Sequence, residues 1–411
     1  MSMKHKTYRF RLMPNKAQQK LLAKHFGCVR FVYNHFLNER IEQFKVAKKS
    51  DDYFAQSRAL TRLKKQEDRT WLNEVNSQAL TFSLKTLDTT FDNFFRGHTK
   101  FPRFKSRNHK NSFTIPQYGS IEGDNIRIPK FKEGIRVKLH RKVIGKIVKM
   151  TIIRTATGKY FVCILTEQEI KQLPKIKKAI GVDLGLKDFA ITSNGKKFKN
   201  NRYTKKYALQ LKKAQRHLSR KKNGSNGFEN QRRKVANIYE KISNCRLDTL
   251  HKVSSELVRN YQLIAIENLN VKGLIESKRL SKQITDASWG KFVDLLRYKC
   301  DHYDRILIKI DRFFPSSKTC NKCGWVNHGL DLSDREWTCG NGHQLDRDLN
   351  AAKNILKQGL KLYRQGLSIT KVEENSAYYG SISDETPSLS ITSVLDEQFT
   401  RPEYPILDVS E

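Results

Sequence analysis

Two short apolar runs in this chain each end on an acid, and a third acid opens a run of helical character. Asp183 lies in Ala179-Ile-Gly-Val-Asp-Leu-Gly185, Glu267 closes Leu263-Ile-Ala-Ile-Glu267, and Asp348 sits in Asp346-Arg-Asp-Leu-Asn-Ala-Ala352. A short apolar run bounded by turn residues reads as a buried strand. A carboxylate at the end of such a strand is costly to desolvate unless positive charge offsets it. Three carboxylates brought together would hold divalent metal, because Mg²⁺ takes oxygen ligands and neighbouring strands lie about 4.8 Å apart. Two Mg²⁺ ions roughly 4 Å apart can both activate a water and stabilise a leaving oxygen in phosphodiester hydrolysis. Asp183, Glu267 and Asp348 are therefore the expected catalytic acids and Mg²⁺ ligands. Asp346 is read as a helper that caps the following helix.

The charge balance names the partner class. The 411 residues carry 79 Lys+Arg against 41 Asp+Glu, a formal net charge of +38. Charge of this sign and size implies a polyanion, since each phosphate contact releases counterions. Up to residue 366 there are 77 basic and 32 acidic residues; from Leu367 onward there are 2 basic and 9 acidic ones. The segment 367–411 is rich in Ser and Thr and shows no period, so it is expected to be a disordered acidic tail. No apolar run of about 18 residues and no signal peptide is present, which points away from membranes and towards a cytoplasmic, nucleoid-associated protein.

Tyr8–Leu12 alternates apolar and basic residues at the strand period, as do Ile126–Ile128, Ile135–Leu139, Ile147–Arg154 and Tyr160–Glu167. Together these predict a small β-barrel over 1–14 and 98–175. A helical insertion at 15–97 interrupts it, with Gly27 expected to break its first helix. Its last helix, from Ser77 to Arg96, turns Leu80, Leu84, Leu87, Phe91 and Phe94 to one face, which is a core stripe. Arg103, Lys105 and Arg107 follow among aromatic residues, a composition that suits stacking on single-stranded or structured RNA and equally a solvated loop. From residue 176 the pattern becomes three antiparallel strands, helices, a strand, a helix and a strand, the order of an RNase H-like fold. Two basic helices, about 204–222 and 228–260, place Lys212, Lys213, Arg216, Arg220 and Lys221 along an expected nucleic-acid path. The fold class is thus mixed α/β and multidomain.

Cys320-Asn-Lys-Cys323-Gly324 has the spacing of a zinc knuckle, and Cys339-Gly-Asn-Gly-His343 follows. Gly342 stands where a second Cys-x-x-Cys would place its last sulfur, so His343 is the expected fourth ligand, with His328 in reserve. Four protein ligands leave no open position, which makes the Zn²⁺ structural. The other four cysteines, Cys28, Cys163, Cys245 and Cys300, are scattered and read as small buried hydrophobes.

Gly-Val-Asp-Leu-Gly also opens ATP-binding proteins of the actin and Hsp70 type, but those need a second, glycine-rich phosphate loop, and this chain has no Gly-Gly pair. Taken together, the motifs resemble the TnpB family, RNA-guided nucleases of bacterial and archaeal insertion sequences, related to compact type V CRISPR effectors. The resemblance rests on Arg30-Phe-Val-Tyr-Asn-His35, Phe101-Pro-Arg-Phe104, Gly181-Val-Asp-Leu-Gly-Leu-Lys-Asp-Phe-Ala190, Ile266-Glu-Asn-Leu269, Phe314-Pro-Ser-Ser317, the cysteine motifs and Asp346-Arg-Asp-Leu-Asn-Ala-Ala352. It implies a wedge barrel with an inserted recognition domain, then a RuvC-like nuclease domain over 176–311 and 344–366. A zinc ribbon at 312–343 interrupts that domain. It implies a guide RNA from the element's own end and a double-stranded DNA target beside a short motif, with base pairing reading the sequence. Two readings remain beside cleavage: a guided DNA-binding repressor that does not cut, and a transposase that joins DNA ends.

Overall fold

The computed structural model describes residues 3–48, 51–107, 111–276, 280–331 and 333–366; the acidic tail lies outside them. Strand β1 (Met3–Leu12) is followed by α1 (Lys16–Ala47), α2 (Tyr53–Leu63), a 3₁₀ turn (Glu67–Glu74) and α3 (Ser77–Phe95). Strands β2 (Asn111–Ile115), β3 (Ser120–Glu122), β4 (Asn125–Ile128), β5 (Phe131–Lys138), β6 (Lys146–Arg154) and β7 (Tyr160–Glu169) complete a seven-stranded antiparallel sheet. Its order is β2-β6-β7-β1-β5-β4-β3. Alternate residues Tyr8, Phe10 and Leu12 are buried, as the strand period requires.

Two expectations differ from this arrangement. The ladder runs from β2 to β3, and among the described residues these ends do not pair, so no closed barrel is seen. Helix α1 packs across the opening instead. His25 meets Phe113 of β2 at 4.9 Å and Phe131 of β5 at 5.4 Å between ring centroids. Second, α1 continues through Gly27. A helical glycine costs about 1 kcal/mol relative to alanine, but here Leu22, Phe26, Val29, Val32, Phe36 and Leu37 bury one continuous face around it. Packing outweighs the local preference.

Residues 179–310 build the second layer. Strands β8 (Ala179–Leu184), β9 (Asp188–Thr192) and β10 (Lys197–Lys199) form a meander. The short α4 (Tyr203–Lys206) precedes the basic helices α5 (Ala208–Ser219) and α6 (Asn226–Asn260), and β11 (Leu263–Glu267) comes next. Then follow α7 (Val271–Glu276), α8 (Ser281–Ala287), α9 (Trp289–Tyr303) and β12 (Ile306–Ile310). The sheet order is β10-β9-β8-β11-β12, with β8, β11 and β12 parallel, which is the RNase H-like order expected. A two-stranded ribbon, β13 (Glu336–Thr338) and β14 (Gln344–Asp346), leads into α10 (Arg347–Arg364). Ile180, Val182, Ile264 and Ile266 face a core shared with α6 and α9. Leu263 and Ala265 face the opposite side, with Ile355 of α10. No described helix is long and apolar enough to cross a membrane.

Lys299 ties α9 to α6. Its buried ammonium donates to the His251 carbonyl at 2.9 Å, to Ser254 Oγ at 2.7 Å and to Ser255 Oγ at 2.8 Å. Burial holds its pKa down to about 8 from the ordinary 10.5. The unfolded chain therefore binds more protons than the folded one between those values, and stability from this group rises with pH across that window. Lys299→Met leaves two hydroxyls and a carbonyl without a donor, but it also removes a buried charge, so its net effect at pH 7 is expected to stay within about 1 kcal/mol. It should also flatten the rise in stability between pH 8 and 10.5. Urea unfolding across that pH range checks both.

Candidate active site

The parallel register sets the first two acids side by side. Ile266 of β11 pairs with Val182 of β8, so one residue further along, Glu267 stands beside Asp183. Both lie on the odd-numbered face, away from the core that holds Val182 and Ile266. That is the face α10 covers.

Gly181 brings the third acid in. A Cβ on Gly181 would lie 2.1 Å from the Ala352 carbonyl oxygen and 2.6 Å from the Leu356 nitrogen, so only glycine lets α10 lie on β8. At the far end of the contact, a Cβ on Gly359 would lie 2.5 Å from that of Ala265 on β11. Asp348 is one turn before Ala352 and shares its face; Asp183 is two residues beyond Gly181 and shares its face. The crossing thus aims Asp348 at the strand ends that carry Asp183 and Glu267. Burial, then the charges of Glu267 and Asp348, push the Asp183 carboxyl up to about 8, against the opposing field of Arg347. Like charges that act on one another repel, and a divalent cation between them would relieve that repulsion. An all-oxygen donor set of three carboxylates fits Mg²⁺.

Neighbouring groups fix the acids. Ser316 Oγ donates to Glu267 Oε1. Asp346 caps α10 through Leu349 N–H at 2.8 Å and pairs with Lys197 at 3.4 Å. Burial works against its ionisation, yet these contacts bring its pKa below the ordinary value. Arg335 lies 3.6 Å from Asp348. Asn354 donates to the carbonyls of Ser316 and Thr319, and Asn350 to those of Ser317 and Thr319, while Asn350 Oδ1 accepts from Asn321 N–H. The helix bearing Asp348 is thereby sewn to the loop that holds Glu267. Sequence reading did not single out Ser316, Asn350 or Asn354. The first two lie in quoted motifs, but Asn354 carries only the i, i+4 spacing from Asn350 as a signal.

The ribbon gathers the four expected ligands. One ligand atom from each of Cys320, Cys323, Cys339 and His343 lies within 4.8 Å of the others. Tetrahedral Zn–S bonds of about 2.3 Å set sulfurs about 3.8 Å apart; Cys323 and Cys339 are 3.7 Å apart. His343 presents Nδ1, 3.3 Å from Cys339 Sγ and 3.8 Å from Cys320 Sγ. Gly324 and Gly342 take positive φ, +82° and +78°, to close the two turns. His343 takes the fourth place in this group, and His328 lies outside it.

The eight cations expected on the nucleic-acid path divide. Arg103, Arg107, Lys212, Lys213, Arg216, Arg220 and Lys221 are exposed. Lys105 turns inward. Its ammonium sits 3.6 Å from the centre of the Tyr33 ring, its backbone bonds both ways to the Asn34 amide, and burial lowers its pKa to about 8.

With this geometry in place, known proteins supply a context. A relative from Streptomyces pristinaespiralis, named as a candidate RNA-guided DNA endonuclease, is 37% identical over 90% of this chain and 93% of its own length. The chain belongs to the TnpB family. A family model described as a probable transposase, OrfB of IS605, matches residues 161–278, and a Cas12f1-like TNB domain model matches 289–355. A helix-turn-helix model matches 1–49, where the structure has β1 and one unbroken helix. InsQ of Escherichia coli K12, named in the same way as the Streptomyces protein, is 30% identical over 86% of this chain and 92% of its own. The fold is also that of Cas12f1, solved in a complex with guide RNA and target DNA: TM-score 0.54 at 14% identity, covering 86% of this chain and 98% of that one.

The Gly181 crossing makes a direct prediction. Gly181→Ala forces α10 off β8 and is expected to destabilise by about 1–3 kcal/mol, the usual range for overpacking. Urea denaturation reads this, and an unchanged midpoint would show that the helix is not seated as described.

Proposed function

We propose that this protein is an RNA-guided DNA endonuclease of an insertion sequence, cutting double-stranded DNA with a RuvC-like site. The carrying observation is that parallel register sets Glu267 beside Asp183 and the glycine crossing lays the helix bearing Asp348 against the same strands. Family membership and relatives named for RNA-guided cleavage support it.

In this reading the three carboxylates hold two Mg²⁺ ions, which supply Lewis-acid stabilisation and an activated water when bound. Ser316 holds Glu267 in one orientation. Asp346 acts on the helix and not on metal. The ribbon, 312–343, binds one structural Zn²⁺ through Cys320, Cys323, Cys339 and His343. Residues 1–14 and 98–175 form the wedge, 15–97 the recognition insertion, and 176–311 with 344–366 the nuclease domain. The exposed cations Arg103, Arg107, Lys212, Lys213, Arg216, Arg220 and Lys221 track phosphates of guide RNA and target DNA. Lys105 braces the loop between Arg103 and Arg107 on Tyr33.

Asp183→Ala, Glu267→Ala and Asp348→Ala are each expected to abolish Mg²⁺-dependent cleavage of a matched duplex while leaving guide-RNA affinity within about two-fold, since none removes a phosphate-binding cation. A cleavage assay beside filter binding tests this, and cutting at the wild-type rate by any of the three removes that residue from the site. Elemental analysis should find about one zinc per wild-type chain, a ratio set by one four-ligand site. It should find much less in Cys339→Ala. A wild-type preparation that folds and cuts without zinc would remove the ribbon assignment.

A further inference from the structure

Phe313 is 85% exposed, an unusual position for a ring whose neighbour Phe314 packs into the core beneath β11 and β12. Fully burying a phenylalanine side chain is worth about 1.5–3 kcal/mol, and among the described residues nothing covers Phe313. Its place is well defined. Residue 310, three before it, is the register partner of Glu267. Residue 316, three after it, donates a hydrogen bond to the same Glu267. The segment 311–315 is therefore an arch with both feet on Glu267, and Phe313 is its crown. Three residues span at most about 10 Å from either foot. The crown is fixed, because Phe313 N–H donates to Asp311 Oδ1 at 2.8 Å. Arg312 stands beside it, and its Nε donates at 3.4 Å to the carbonyl of Asn268, the residue after Glu267. A guanidinium has five donors, and this contact uses one of them.

An exposed ring and a cation on the rim of an acid cluster match one ligand chemistry. Unpaired nucleobases stack on aromatic side chains, and the adjoining phosphate takes an arginine. Paired bases show no free face to such a ring. We propose that Phe313 and Arg312 form a landing for one unpaired nucleotide of the DNA strand being cut, stacking its base and holding its phosphate so that the next bond lies over the acids. A phenyl ring has no hydrogen-bonding groups, so the landing takes any base and positions without reading sequence. This inference rests on the nuclease reading and deepens it.

The test uses full-length protein in chelator, so that no strand is cut, and a single-stranded DNA carrying 2-aminopurine. Stacking quenches that fluorophore. Quenching is expected with wild type and Phe313→Trp, and is expected to be lost with Phe313→Ala. Arg312→Gln should weaken binding and lower its salt dependence. In Mg²⁺ with guide RNA, Phe313→Ala should lose about five-fold or more in kcat/KM, the effect of one stacked base. Equal quenching by wild type and Phe313→Ala overturns the landing. So does a concentration-dependent dimer that disappears in Phe313→Ala, since the ring would then be a contact between copies. Failure of the nuclease reading looks different: guided wild type would not cut at all, whatever the fluorescence shows.

Discussion

The crossing of α10 over β8 and β11 is the contact on which the site depends. Two of the acids need only a sheet, because parallel strands in register put Asp183 and Glu267 next to each other. The third comes from a helix that starts beyond the ribbon, far along the chain. That helix lies against β8 and β11 because Gly181 and Gly359 lack the side chains that would hold the backbone away. Close-packed interiors transmit small displacements. A lift of one methyl group at Gly181 is carried one turn up the helix to Asp348.

That contact is assisted from the other end. Arg347 donates to the carbonyls of Asp331 and Asp334, and Asn350 and Asn354 close over the Phe314-Pro-Ser-Ser317 turn. Ser316 sits in that turn and holds Glu267. Helix, turn and strand therefore share one polar network, and the acids are positioned as a set. Burial and then the charges of Glu267 and Asp348 raise the Asp183 pKa, and Arg347, held by the same network, opposes them.

Much of this was legible in the sequence. The strand order of the second sheet follows from apolar runs, which report burial directly, and the grouping of Cys320, Cys323, Cys339 and His343 follows from their spacing. What escaped was non-local. Gly181 looked like a motif letter, and its role appears only when Ala352 arrives from elsewhere. Gly27 reads as a breaker in isolation, yet buried residues on both sides carry the helix through it. Lys105 sits in a basic run, but Tyr33 lies at a distance in sequence that no window covers. Strand β2 was missed because Asn111-Ser-Phe-Thr-Ile115 holds too few apolar residues to show a period.

The ribbon's second half also bears on where the Asp348 carboxylate stands. His343 closes the metal cluster, and Asp348 follows only five residues later, on the first turn of the helix that β14 feeds. Ribbon and helix are thus joined by a tether too short to let them move apart freely. A displacement of the ribbon would pass along that short tether to the first turn of α10, so the cysteine–histidine end of the ribbon helps to decide where the Asp348 carboxylate stands.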